Sequence, residues 1–420
     1  MEFEVQNGGG SLFGSTEELM AFGERFGGTL AVAFALFAFR HFTKGLPSPG
    51  SISFDWTVLA LGLWCFCGMA IDGWAHKHGA VDDSFFTPWH AVWYAGFNAY
   101  AAFITFSLWR LYDGPLPITP SAIKAFLAGM PRGYGPSVAG MVVFGVAGVG
   151  DLLWHTFLGI EGGTDILLST THLGLAAGLS LSLMAPFWAA WNTPGSGEKG
   201  LVSQLPVLFG IGTAWSVLTL FTSYVHHQTL SYNSLCNALP SCAAGNAGLE
   251  LGISAILLQS VLLTGVVLLF MRRWSPVFGT FTVLLGVNGI AIAAFAPGEP
   301  SEAWQHMVTP LAAGLALDVA YRLVDPFGSG RIRTFAFLVP AIHTFVWLAV
   351  LTYNTGWQVG MVGGNLLMTP LGWSVHATIG AVFLAGFVGV LVSIGMIPPA
   401  TPDGSEAQET LFDDLADDSI

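Results

Sequence analysis

Charge is what this chain most lacks. Only 9% of its 420 residues are Asp, Glu, Lys or Arg, too sparse a polar coat for a water-soluble fold of this length. Basic residues are the scarcer sign, 13 against 26 acidic for a formal net charge of −13, which argues against a nucleic-acid partner. Cysteine is limited to four. Cys65 and Cys67 are two apart and would not share a helix face, so they read as inert thiols. Cys236 and Cys242 fall in a predicted outer loop, where an oxidising compartment permits a disulfide. No His-Glu-x-x-His or His-x-x-x-His signature occurs. The glycine-rich run from Gly145 to Gly150 lacks the preceding strand that a phosphate loop requires. The first 28 residues are polar, Gly-rich and acidic, so no cleavable signal peptide is expected and the first apolar run should act as an uncleaved anchor.

What is abundant is apolar sequence. Hydrophobic residues make up 53% of the chain, in repeated runs of about twenty, the length that crosses a hydrocarbon core. The expected fold is therefore all-α, a polytopic membrane helix bundle embedded in a lipid bilayer. Eleven spans are predicted, at 26–42, 54–75, 87–111, 136–157, 166–191, 201–225, 249–271, 276–295, 304–324, 334–353 and 373–396. Residues 1–25 form an extracytoplasmic N-terminal segment, 26–396 the transmembrane domain, and 397–420 an acidic, disordered tail. Lys and Arg follow only odd-numbered spans, with Lys77 the exception. Basic loops stay cytoplasmic, so the N-terminus is expected outside and the C-terminus inside the cell membrane.

The most informative pattern is duplicated. Asp72 precedes His76 by four residues at the end of one apolar run, and His90 opens the next. Asp151, His155 and His172 repeat this arrangement. The Asp-to-Asp and first His-to-His offsets are both 79 residues and the second His-to-His offset is 82, so only the connecting loop has changed length. Spans two and three (about 54–111) and spans four and five (about 136–191) thus read as one helical hairpin used twice, a parallel repeat. On a helix, positions i and i+4 share a face. Each Asp-His pair can therefore hold a metal ion jointly with the His of the following helix, leaving a coordination position open. Nine of the eleven histidines fall at predicted outward ends. Among them His227, His306 and His376 are possible additional ligands. Trp74, Phe85, Phe86, Trp89, Trp93, Tyr94, Trp154 and Phe157 lie beside the ligands as an apolar wall or an interfacial belt.

The sets Asp72, His76, His90 and Asp151, His155, His172 resemble the metal site of the membrane C subunit of copper-dependent methane and ammonia monooxygenases, over these two short hairpins. The wider wording around them also resembles polytopic prokaryotic membrane proteins without assigned activity. The resemblance implies a membrane-embedded copper site acting with partner subunits. The residues themselves allow copper, iron or zinc. The leading expectation is a metal-dependent oxidoreductase, copper favoured, working on a small or lipophilic substrate near the extracytoplasmic surface. The alternatives are a metal-ion or small-solute permease, with Asp318 and His343 as polar steps inside the membrane; a zinc-dependent hydrolase, with Ser169 and Asp165 assisting; and a haem-binding electron-transfer subunit.

Overall fold

A computed structural model describes residues 15–79, 85–115, 117–159, 163–237, 242, 247–298, 303–355, 359–362, 365–368 and 371–397. The acidic tail, most of the N-terminal segment, and the acidic residues Asp82, Asp83 and Glu161 of the predicted outer loops lie outside them. The helices, in chain order, are α1 (Thr16–Lys44), α2 (Ile52–Lys77), α3 (Pro88–Trp109), α4 (Pro120–Ala128), α5 (Gly135–Leu158), α6 (Thr170–Leu183) and α7 (Ala185–Trp191). They continue with α8 (Leu201–Phe221), α9 (Tyr232–Leu235), α10 (Ala247–Met271), α11 (Thr280–Phe295), α12 (Ala303–Val324), α13 (Ile332–Thr355) and α14 (Val375–Met396). A short antiparallel pair, β1 (Val359–Val362) and β2 (Asn365–Met368), precedes α14.

This is a multi-pass membrane protein: among the described residues eight helices are long and apolar enough to cross a bilayer, or nine with α6 and α7 taken as one span bent by 44°. Every predicted span coincides with a helix or with that bent pair. The two left out of the count explain themselves. The α3 helix is diluted by His90, Tyr94, Asn98 and Tyr100, and α11 has only 16 residues. The α1 helix starts well before Phe26, because Ser15 and Glu18 form a reciprocal capping box that satisfies its first free N–H groups. The helix α4 falls where a plain loop was expected, with Thr119 capping it and Pro120 in its first turn.

The chain divides into two compact units, Met1–Tyr112 with Pro136–Pro186, and Asp113–Gly135 with Phe187–Ile420. In the first, α2 and α3 form one hairpin, and α1 lies along α3 with only Ala33 buried. Glycines set the approach of α2 to α3. A Cβ added at Gly68 would sit 2.7 Å from the Cα of Trp93, and one at Gly96 would sit 3.0 Å from the Cα of Cys65. The pair α5 and α6 repeats this contact at the equivalent positions, where a Cβ on Gly178 would collide with the backbone nitrogen of Phe144. Applying the two sequence offsets to Cys65 and Gly96 gives Phe144 and Gly178, so the spacing that relates the ligands also relates these packing contacts. One further contact ties the hairpins together. At the bend after α6, Pro186 has no N–H to give the carbonyl of Ser182, and the hydroxyl of Tyr100 on α3 donates to it instead.

In the second unit, α8 packs on α11, α11 on α12, α12 on α13, and α13 and α10 on α14. The buried carboxylate of Asp318 accepts from the backbone N–H groups of Phe281 and Thr282 and from the Thr282 hydroxyl, pinning the first turn of α11 to α12. Cys236 is bonded to Cys242 as expected. Cys65 is buried, whereas Cys67 is exposed.

Candidate metal centre

Each ligand is placed by a helix end. Asp72 and His76 are one turn apart in the last part of α2, and His90 is in the first turn of α3, where Thr87 caps the His90 backbone N–H. The second hairpin builds the same corner: Asp151 and His155 end α5, and Ser169 caps the His172 backbone N–H at the start of α6. Thr87 and Ser169 are themselves related by the loop-shifted offset. Ser169, read from the sequence as a hydrolytic helper, stands at this cap.

The geometry gathers all six residues into two groups, Asp72, His76, His90 and Asp151, His155, His172, the ligand atoms within each group lying within 4.8 Å of one another. In the first, Nε2 of His90 is 3.4 Å from Asp72 Oδ1 and Nε2 of His76 is 3.8 Å from Oδ2. In the second, Nε2 of His155 and of His172 lie 3.5 Å and 3.3 Å from Asp151 Oδ1. Asp72 and Asp151 are 5% and 1% exposed. Among the described residues neither is paired with Lys or Arg. A buried carboxylate without a cation is costly, so each site demands positive charge, either protons on the imidazoles or a metal ion.

The outer hydrogen bonds narrow how that charge can be held. Nδ1 of His90 lies 2.6 Å from the carbonyl oxygen of Phe85. A carbonyl only accepts, so Nδ1 carries the hydrogen, and a neutral His90 turns a bare lone pair at Nε2 toward the Asp72 carboxylate. Two acceptors facing each other at 3.4 Å require a cation between them or a second proton on the ring. An imidazole whose Nδ1–H is held by a carbonyl, with Nε2 turned into the site, is the usual arrangement of a metal-binding histidine. In the second group Nδ1 of His172 meets the Ser169 hydroxyl at 2.7 Å, and Asp151 also accepts from the Thr171 hydroxyl at 2.9 Å.

Of the eight aromatics read as a wall, Phe85, Trp93 and Tyr94 ring His90, with centroid distances of 4.8, 6.5 and 5.9 Å. Phe157 is exposed and contributes no such wall. The three further histidines do not join either group. His227 stacks on His226 and meets His343 and Trp347 in the second unit, while His306 and His376 belong to no cluster of three possible ligands among the described residues. Sequence reasoning missed Thr171 altogether; a hydroxyl one residue before a ligand carries no periodic signal. The caps were legible in principle, as Thr-x-x-His and Ser-x-x-His at the opening of each second helix.

Fold and site together define a multi-pass helical membrane protein with two buried Asp/His groups able to hold a metal ion. The chain matches no protein-family model, no curated protein and no solved structure.

Proposed function

We propose that this protein is a membrane-embedded, metal-dependent oxidoreductase that binds copper through Asp72, His76 and His90 and through Asp151, His155 and His172, and acts on a small or lipophilic substrate. The observation that carries the reading is the forced tautomer of His90, whose Nε2 lone pair faces a buried carboxylate. By the Irving–Williams order two imidazoles and one carboxylate bind cupric ion more tightly than iron or zinc, although the same donor set also suits non-haem iron, and three protein ligands leave a position for oxygen or substrate. The metal would supply electron exchange. The chain's own residues would hold it, orient the imidazoles through Phe85 and Ser169, and keep water away with Phe85, Trp93 and Tyr94. The basic-loop pattern supports an extracytoplasmic site in the cell membrane, with the N-terminus outside.

The permease reading has less support, because both of its intramembrane polar steps are engaged in structural hydrogen bonds. Asp318 has its carboxylate spent on the start of α11, and Gln228 occupies Nε2 of His343 at 3.2 Å. The hydrolase reading has less support, because Ser169 is engaged with the helix end and with His172. Metal analysis and an optical spectrum of the purified protein test the proposal. Copper with a d–d band is expected; a Soret band or a metal-free protein after growth in copper would refute it.

A further inference from the structure

The two ligand groups do not stand apart. The Phe85 ring is 4.8 Å from His90 of the first group and 6.2 Å from His155 of the second. Between the hairpins lies Tyr94, one turn after His90 on α3, which leans on α5 where Gly148 leaves room: a Cβ there would be 3.0 Å from the tyrosine ring. The Tyr94 hydroxyl is thus set against α5 about one turn before Asp151, and both it and the Asp151 Oδ2 are buried without a hydrogen-bond partner. A phenol brought from the first hairpin to the carboxylate of the second, with both polar atoms buried, is a costly arrangement unless that carboxylate is engaged elsewhere.

We propose that the two groups form a single two-metal centre and that Tyr94 is the positioning residue that couples them, orienting Asp151 of the second site from the helix that carries His90 of the first. This rests on the metal reading above and adds that the ions bind as a pair rather than in isolation. Each site offsets only one unit of its ion's charge, so the ions repel, and at an effective dielectric of about 20 and roughly 10 Å separation the first ion weakens binding of the second by on the order of 10-fold.

Titration of the full-length protein in detergent with cupric ion, read by isotherm and by electron paramagnetic resonance, tests this. The expected result is two equivalents per chain in two unequal steps, with dipolar broadening at full loading. The double variant Asp72→Asn with His90→Ala should bind one equivalent, unbroadened and about 10-fold tighter than the second step of the natural chain. Tyr94→Phe should keep two equivalents but shift the spectrum of the second-site ion alone and weaken its binding, which a merely space-filling tyrosine would not do. Two identical, additive sites whose spectrum is the sum of the single-site variants, or a Tyr94→Phe protein indistinguishable from the parent, would overturn the coupling while leaving metal binding intact. Absence of any bound copper would overturn both readings.

Discussion

The two hairpins hold the same three ligands in the same places, yet differ in how much freedom they give them. In the first, His90 is locked by a carbonyl that accepts and nothing else, and Asp72 faces only imidazoles. In the second, His172 is held by a hydroxyl that donates as readily as it accepts, and Thr171 gives Asp151 a neutral partner. In the second site a neutral His172 can accept from Ser169 at Nδ1 and donate Nε2–H to Asp151, which also keeps the Thr171 hydrogen bond, while its Oδ2 stays unpartnered. The first site has no such neutral arrangement. Both carboxylates call for positive charge, and the first has fewer neutral donors to fall back on.

The largest effect expected from this difference is in metal retention. Removing the first pair of ligands, Asp72→Asn with His90→Ala, and the second, Asp151→Asn with His172→Ala, should each cost one copper equivalent. Under dialysis against a chelator, the parent should give up the second-hairpin ion first. Equal rates of loss would break the comparison. Next comes packing, where the hairpins should differ in degree only. Gly96→Ala and Gly178→Ala each force a methyl into a helix contact, at about 1–3 kcal/mol for overpacking. The Gly178 change should lower the thermal midpoint more, because its methyl would lie closer to the Phe144 backbone nitrogen than the 3.0 Å that separates a Gly96 methyl from the Cys65 backbone.

The caps then sharpen the contrast in ligand support. Thr87→Ala and Ser169→Ala should each destabilise by about 1 kcal/mol as lost N-caps. Only Ser169→Ala should also weaken copper binding, by about 10- to 100-fold at the second site, since that serine alone bonds to its histidine ring as well as to the helix end. Separate isotherms for the two variants decide it. The smallest effect belongs to a group with no carboxylate at all. Burial, with His226 and His343 nearby, holds the His227 imidazole well below its usual pKa and therefore neutral. His227→Phe should leave the copper content unchanged, and loss of metal in that variant would enlarge the centre beyond the two hairpins.

Much of this was legible in the sequence because it is local. Apolar run length located the helices, and the four-residue spacing of Asp72 and His76 put both on one face without any knowledge of the tertiary fold. The loop-borne cysteines paired for the same reason of nearness. What was not legible depends on which helices meet. Tyr94 reads as one more interfacial aromatic until α5 is brought against it, and only then does its hydroxyl acquire a carboxylate to face. Asp318 looked like a polar step through the membrane, and became a clamp once α11 was seen to begin beside it. The helix α4 escaped notice because nine residues with a Lys in the middle carry too little apolar length to stand out.

The hydroxyl of Tyr100 completing the carbonyl that Pro186 leaves open has a consequence for how the protein is made. The acceptor is synthesised 82 residues after the donor, several seconds later at ribosomal speeds of about 5–20 residues per second. The first hairpin is thus already threaded into the bilayer, with its phenol in position, when the bend after α6 arrives needing a donor in a place without water. The earlier hairpin acts as the template on which the later one is seated. A chain rearranged so that 136–191 is translated before 54–111 would insert that bend with nothing to receive it, and should be degraded or misinserted even though every final contact remains available.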